Sequence, residues 1–195
     1  MSNEQDTPST PVRGDDDSNN SSKSEDTGTV MTIFCDASHL DEYDYLHTTI
    51  SYVIFVGNNM IKNNARRRKN HQTATTAGSE LMTLFEVYEH GRTLYRQYKA
   101  QGFKFLEPLR IFCDNEAGLK ILSGGKITEK CRHLKPKVLC IRKDRAEGKC
   151  KLGYVRTDKM PVDLTTKGSH PEETMIRHYK ALMQGEVDLE PEKWY

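Results

Sequence analysis

The chain has 195 residues, of which 35% are hydrophobic and 29% charged, enough for one domain of ordinary size with a modest core and a tail. No apolar run reaches the roughly 18 residues that a membrane-spanning helix needs, and the polar N-terminus lacks the apolar core of an export signal. Five cysteines, an odd number with no Cys-x-x-Cys pair, exclude a disulfide framework as the organising principle. An intracellular protein of the cytoplasm or nucleus, in a reducing compartment, is expected.

The net charge of +1 conceals an asymmetry. Residues 1–30 carry seven acids and two bases, so the rest of the chain carries 27 bases and 21 acids. A moderately basic body suits a polyanionic partner without requiring one.

Residues 1–29 consist of Ser, Asn, Asp, Thr, Pro and Gly with almost nothing apolar to bury, and are expected to be a disordered acidic leader. Residues 30–184 are expected to form the domain and 185–195, marked by Gly185 and Pro191, a loose C-terminal tail. Val30 to Cys35 is a short apolar run typical of a buried strand, ending on Asp36. After an acidic loop from His39 to Asp44, Ile50 to Val56 and Met60 to Lys62 flank Gly57-Asn58-Asn59, which predicts a hairpin. Residues 79–99 read as a helix, with Leu81, Leu84, Phe85, Tyr88 and Leu94 at three- and four-residue spacing and a cap from the preceding threonines. Leu109 to Cys113 is a second buried strand ending on an acid, Asp114, and Asn115 can cap a short helix through Leu122. A basic helix over 129–147, with its start obscured by Pro136, a strand over 151–156, and helices over 160–167 and 171–184 complete the order. Three antiparallel strands followed by strands alternating with helices imply an α/β fold with a mixed five-stranded sheet flanked by helices.

Asp36 and Asp114 share a local pattern, an acid ending an apolar strand with cysteine before it. Ligand sites in open α/β sheets lie at the carboxyl ends of strands. Two carboxylates on neighbouring strand ends repel unless a cation neutralises them, and hard divalent ions take such oxygen ligands. Taken singly, each acid has an ordinary reading: a turn residue or cap for Asp36 and Asp114, a first-turn helix acid for Glu80, a solvent-facing helix residue for Asp163.

Together the motifs resemble a known family. Phe34-Cys35-Asp36-Ala37-Ser38, Thr75-Thr76-Ala77-Gly78-Ser79-Glu80, Phe112-Cys113-Asp114-Asn115, and Tyr154-Val155-Arg156-Thr157 followed by Val162-Asp163-Leu164-Thr165-Thr166-Lys167 occur in the order found in the ribonuclease H (RNase H) domain of copia-type long-terminal-repeat retrotransposon polyproteins. Arg132-His133-Leu134 is similar to another segment of that family. The likeness runs from about Met31 to Met183. It implies a ribonuclease H-like fold and a metal-dependent endonuclease that hydrolyses the RNA strand of RNA–DNA hybrids. Asp36 would bridge two Mg²⁺ ions (Mn²⁺ a substitute), with Glu80 and Asp114 completing one site and Asp163 the other. It also implies a reverse transcriptase as a partner acting in trans. The order Asp, Glu, Asp favours this family over integrase-like nucleases, and the lack of an Asp-x-Glu pair on the first strand disfavours a proofreading-type exonuclease.

The chain departs from the family pattern in places. Arg66-Arg67-Arg68-Lys69 replaces the usual segment after the hairpin, Gly78 stands where a second Glu is common, and Asn64 stands near the position of a common Trp. The four bases, with Asn115 and His133, are candidate contacts to the hybrid, which is read mainly through backbone and shape. The competing reading, in another functional class, is a domesticated or inactive RNase H-like domain that binds nucleic acid without turnover. Cys131, His133, Cys140 and Cys150 have the residue types of a zinc site but none of the usual ligand spacings. Cys35 and Cys113 read as small buried strand residues.

Overall fold

The computed structural model describes residues 29–39, 47–69, 76–166 and 171–195, without the side chains of residues 38, 39, 47, 69, 76 and 166. The acidic leader up to residue 28, most of the acidic loop after His39, and the threonines ahead of the first helix at 73 and 75 lie outside the described residues.

The apolar runs become the middle of one sheet. Strands β1 (Met31–His39), β2 (His47–Val56) and β3 (Asn59–Lys69) form an antiparallel meander, and β4 (Leu109–Cys113) and β5 (Cys150–Tyr154) add in parallel beyond β1. A short β6 (Lys193–Trp194) closes the order β3-β2-β1-β4-β5-β6. The sheet therefore has six strands, not the five expected. The sixth comes from the segment read as a loose tail, where two residues are too few to show a strand period. Gly57, at φ +57°, makes the hairpin turn that side-chain-bearing residues rarely adopt.

Alternation along each strand sorts side chains onto two faces. Met31, Ile33, Cys35, Ile54, Ile111 and Leu152 pack with helix α1 (Thr76–Ala100) and helices α2 (Glu116–Leu122) and α3 (Lys135–Ala146). Phe34, Val53, Phe55 and Phe112 form a second cluster with Val155, Met160 and Val162, covered by Leu182, Val187 and Leu189. α1 lies close over β1: a Cβ on Gly91 would stand 2.1 Å from the Ile33 Cδ1, so any larger residue there would force the buried Ile33 side chain to shift. Pro136 falls in the first turn of α3, where its missing N–H costs nothing, and a 3₁₀ turn (Glu129–Leu134) occupies the residues ahead of it. The expected helix over 129–147 is thus divided at that proline. Of the expected helix over 160–167, only one turn, α4 (Asp163–Thr166), is helical among the described residues, and 160–162 lead into it without helix; helix α5 (Glu172–Gln184) follows.

The C-terminal segment is held by a buried cation. Arg110, 6% exposed, pairs with Glu107 at 2.8 Å and Glu190 at 3.1 Å, donates to the Leu189 carbonyl at 3.0 Å, and sits 5.6 Å from the Trp194 ring. Removing one member of such a network strands the others. Arg110→Ala is expected to cost about 2 kcal/mol and to release residues 185–195. Urea unfolding and limited proteolysis of the C-terminus check this; an unchanged midpoint with an equally protected tail contradicts it.

Candidate active site

The two strand aspartates come together through sheet register. β1 and β4 pair in parallel from Thr32↔Arg110 to Phe34↔Phe112, so Cys35 and Asp36 lie just beyond the last pair, opposite Cys113 and Asp114. β1 does not end on Asp36 as expected: pairing with β2 carries it to His39, and Asp36 sits where β1 has parted from β4 but still pairs with Ser51. Its Oδ1 accepts the Ala37 N–H at 2.7 Å. α1 begins at Thr76, so Glu80 is in its second turn rather than the first, which removes the helix-dipole explanation for a glutamate there.

Asp36, Glu80 and Asp114 line one small cleft, of about 20 Å³, together with Cys35, Cys113 and Asn115. Asn115 accepts the Gly118 N–H at 2.8 Å, capping α2 as expected, and its Nδ2 donates to Glu80 Oε2. Thr157 Oγ1 donates to Asp114 Oδ2 at 2.8 Å. Sequence reasoning missed this contact, although Thr157 closes the quoted Tyr154–Thr157 motif. Asp163 is not among the side chains lining the cleft. It is 4% exposed and opens α4, which packs on β1 and β2. Two residues on, Thr165 Oγ1 is hydrogen-bonded to Ser51 Oγ, and Ser51 is the register partner of Asp36. Asp163 therefore lies on the Asp36 side of the cleft.

The substrate-binding candidates separate. Arg66 to Lys69 lie in β3 rather than in a loop, so alternation splits the run. Arg66 and Arg68 both pair with Glu86 of α1, at 2.8 and 3.0 Å, and Arg68 also donates to the Ser79 carbonyl at 3.2 Å. These two bases tie β3 to α1, a role hidden in sequence because Glu86 is 20 residues from Arg66. Arg67 is exposed on the opposite face with no ion pair among the described residues, and the Lys69 side chain lies outside them. His133 is exposed on the 3₁₀ turn against α1 and does not line the cleft.

Burial, together with the charges of Asp114 and Asp36, raises the Glu80 carboxyl to about 7. Among the described residues no three His, Cys, Asp or Glu side chains are gathered closely enough to hold an ion as they stand. The donors nonetheless fit a hard divalent cation in type, being carboxylate oxygens, and they already repel one another through an intervening gap.

The stability consequence has a definite sign. Glu80 titrates near 4.5 when unfolded and at about 7 when folded. Between those values the folded chain holds a proton that the unfolded chain has lost, so stability falls as pH rises from 4.5 to 7 and stays lower above it. In chelator, Glu80→Gln is expected to raise Tm at pH 8 by a few degrees, corresponding to about 1–3 kcal/mol, and to leave Tm unchanged at pH 4. Parallel Tm–pH profiles for the two proteins contradict this.

No family model matches the chain, and no curated protein matches it. Solved structures do. The N-terminal RNase H domain of a Mycobacterium tuberculosis protein, studied as a fusion with maltose binding protein, superposes with a TM-score of 0.51 at 10% identity, covering 79% of this chain and 99% of that one. LC11-RNase H1, in complex with an RNA/DNA hybrid, superposes with a TM-score of 0.52 at 15% identity, covering 69% of this chain and 92% of that one. The fold is the RNase H-like α/β fold, as the motif order implied. No helix among the described residues is long and apolar enough to cross a membrane.

Proposed function

We propose that this chain is a Mg²⁺-dependent ribonuclease H that cleaves the RNA strand of RNA–DNA hybrids, of the copia-type retrotransposon lineage. The observation that carries the reading is the meeting of Asp36, Glu80 and Asp114, from two strands and a helix, in one cleft of an RNase H-like fold. One RNase H of this fold was solved with a hybrid bound, which supports the hybrid as substrate. The copia-type lineage, and with it a reverse transcriptase acting in trans, rests on the order and wording of the four sequence motifs.

Asp36, Glu80, Asp114 and Asp163 are the residues that would hold Mg²⁺ or Mn²⁺, which would supply acidification of the attacking water and stabilisation of charge on the leaving oxygen. The chain's own part is positioning. Asn115 Nδ2 fixes one Glu80 oxygen, while Thr157 Oγ1 fixes Asp114 Oδ2. Glu80 holds a proton up to about pH 7, so apparent cation affinity is expected to rise with pH through that region. Among the described side chains of the basic run, Arg67 is the one left available for a phosphate, since Arg66 and Arg68 are engaged by Glu86.

End-labelled hybrid, RNA duplex and DNA duplex of one sequence, incubated with the protein in Mg²⁺, test the reading. Cleavage of the RNA strand of the hybrid alone, leaving 3′-hydroxyl and 5′-phosphate ends, is expected. Equal cleavage of all three, or hybrid binding without cleavage in saturating Mg²⁺ and Mn²⁺, contradicts it; the second result selects the non-catalytic binding domain.

A further inference from the structure

A second charged surface lies at the other end of the sheet, where β4 and β5 begin. β4 runs from Leu109 to Cys113, a length of about 16 Å, so this surface is well separated from the carboxylates. One cavity of about 400 Å³ opens between the C-terminal half of α1 and the segment entering β4. A neighbouring cavity of about 390 Å³ lies beside the C-terminus, and Pro108 and Gly148 line both. The two form one groove.

Its charge is one-sided. Arg92, Arg96, Lys99, Arg145, Lys149 and Lys151 line it, against the single acidic side chain of Glu107. Several of these bases are already engaged: Arg92 and Lys149 with Asp144, Lys151 with Glu107, and Arg145 with the Tyr195 carbonyl. Arg96 and Lys99, exposed and one turn apart on α1, have no carboxylate partner among the described residues. Aromatic rings stand between the cations. Tyr95 and Phe105 stack at 4.5 Å in the first cavity, and Trp194, 40% exposed, lies in the second with Lys151 and Arg110 within 5.6 Å of its ring.

We propose that this groove binds single-stranded nucleic acid, with phosphates on Arg96 and Lys99 and bases against the rings of Phe105 and Trp194. Alternating cations and ring faces suit a strand, which offers a phosphate and a flat base at every step. An acidic peptide would use the charges and leave the rings without partners. A free nucleotide would fill one cavity, whereas the ring walls continue through both. The inference requires no turnover and none of the carboxylates.

Trp194 is the chain's only tryptophan and therefore reports on the groove. The full chain is titrated in chelator with an oligothymidylate of about 12 nucleotides while tryptophan fluorescence is read. Quenching that weakens with added salt is expected. The double substitution Arg96→Glu with Lys99→Glu should weaken binding by about tenfold or more and flatten the salt dependence, while Arg96→Lys retains it. The proposal is overturned if the wild-type chain does not bind, if the double variant binds like wild type, or if thymidine monophosphate or polyglutamate binds as tightly as the oligonucleotide. Cleavage of a blunt hybrid by the double variant reads the carboxylate site separately.

Discussion

Asp36→Asn is expected to lower hybrid cleavage by about a thousandfold while leaving the chain folded. Asp36 faces Asp114 across the opening between β1 and β4, and its β2 partner, Ser51, is linked to α4, the helix that Asp163 opens. In the proposed site it is the acid that would be shared by both halves. Losing about 4 kcal/mol of charge stabilisation in the transition state corresponds to that factor. The fold should tolerate the change, because Asn retains the oxygen that accepts the Ala37 N–H and removes a charge that raises Glu80. Circular dichroism and thermal unfolding in chelator should show equal or higher stability beside the lost activity. A variant that loses activity only by unfolding contradicts this account of Asp36.

The largest expected effect on stability lies elsewhere. Asp144 of α3, 6% exposed, accepts a hydrogen bond from the buried Tyr88 hydroxyl, pairs with Arg92 at 3.0 Å, and meets Lys149 at 3.4 Å. This cluster joins α3 to α1 under the sheet. Asp144→Ala leaves a buried hydroxyl without its acceptor and a half-buried guanidinium without its counter-charge, at a cost of about 3–4 kcal/mol. For a chain of this size Tm should fall by about 10 °C. Asp144→Asn keeps an acceptor for Tyr88 and should lose about half as much. The Asp144 carboxyl is held below its ordinary range, chiefly by the Tyr88 hydrogen bond and also by Arg92 and Lys149. Its contribution is therefore complete at neutral pH and is lost only as pH falls below 3.8 through the lowered folded value. Equal denaturant midpoints for wild type and Asp144→Ala contradict the assignment.

The sequence made the sheet's centre legible and its margins much less so. β1, β2 and β4 are apolar runs bounded by turn residues, and Gly57-Asn58-Asn59 marked the hairpin. β3 runs to Lys69, far beyond Lys62, because Asn63 to Arg68 pair through backbone on a polar edge strand that carries no hydrophobic period. β6 was invisible because its two residues are held by Arg110 and the β5 edge, both long-range partners. The meeting of Asp36 with Asp114 was legible from two matching strand ends. That Glu80 joins them could be inferred only from motif order, since its place depends on how α1 crosses β1. Asp163 lies on the flank of the cleft, at the start of α4, which packs on β1 and β2. The basic run misled for a simple reason: charge density in sequence does not show that alternate arginines are consumed by Glu86.

In the proposed function these carboxylates form a cation-dependent hybrid nuclease. The most direct test is the rate of hybrid cleavage against Mg²⁺ concentration, measured side by side for the wild-type chain and Asp114→Asn. The wild-type rate should rise from zero in chelator to a plateau, with no plateau approached by the variant at any concentration. Mg²⁺-dependent cleavage by Asp114→Asn at the wild-type rate would contradict the account.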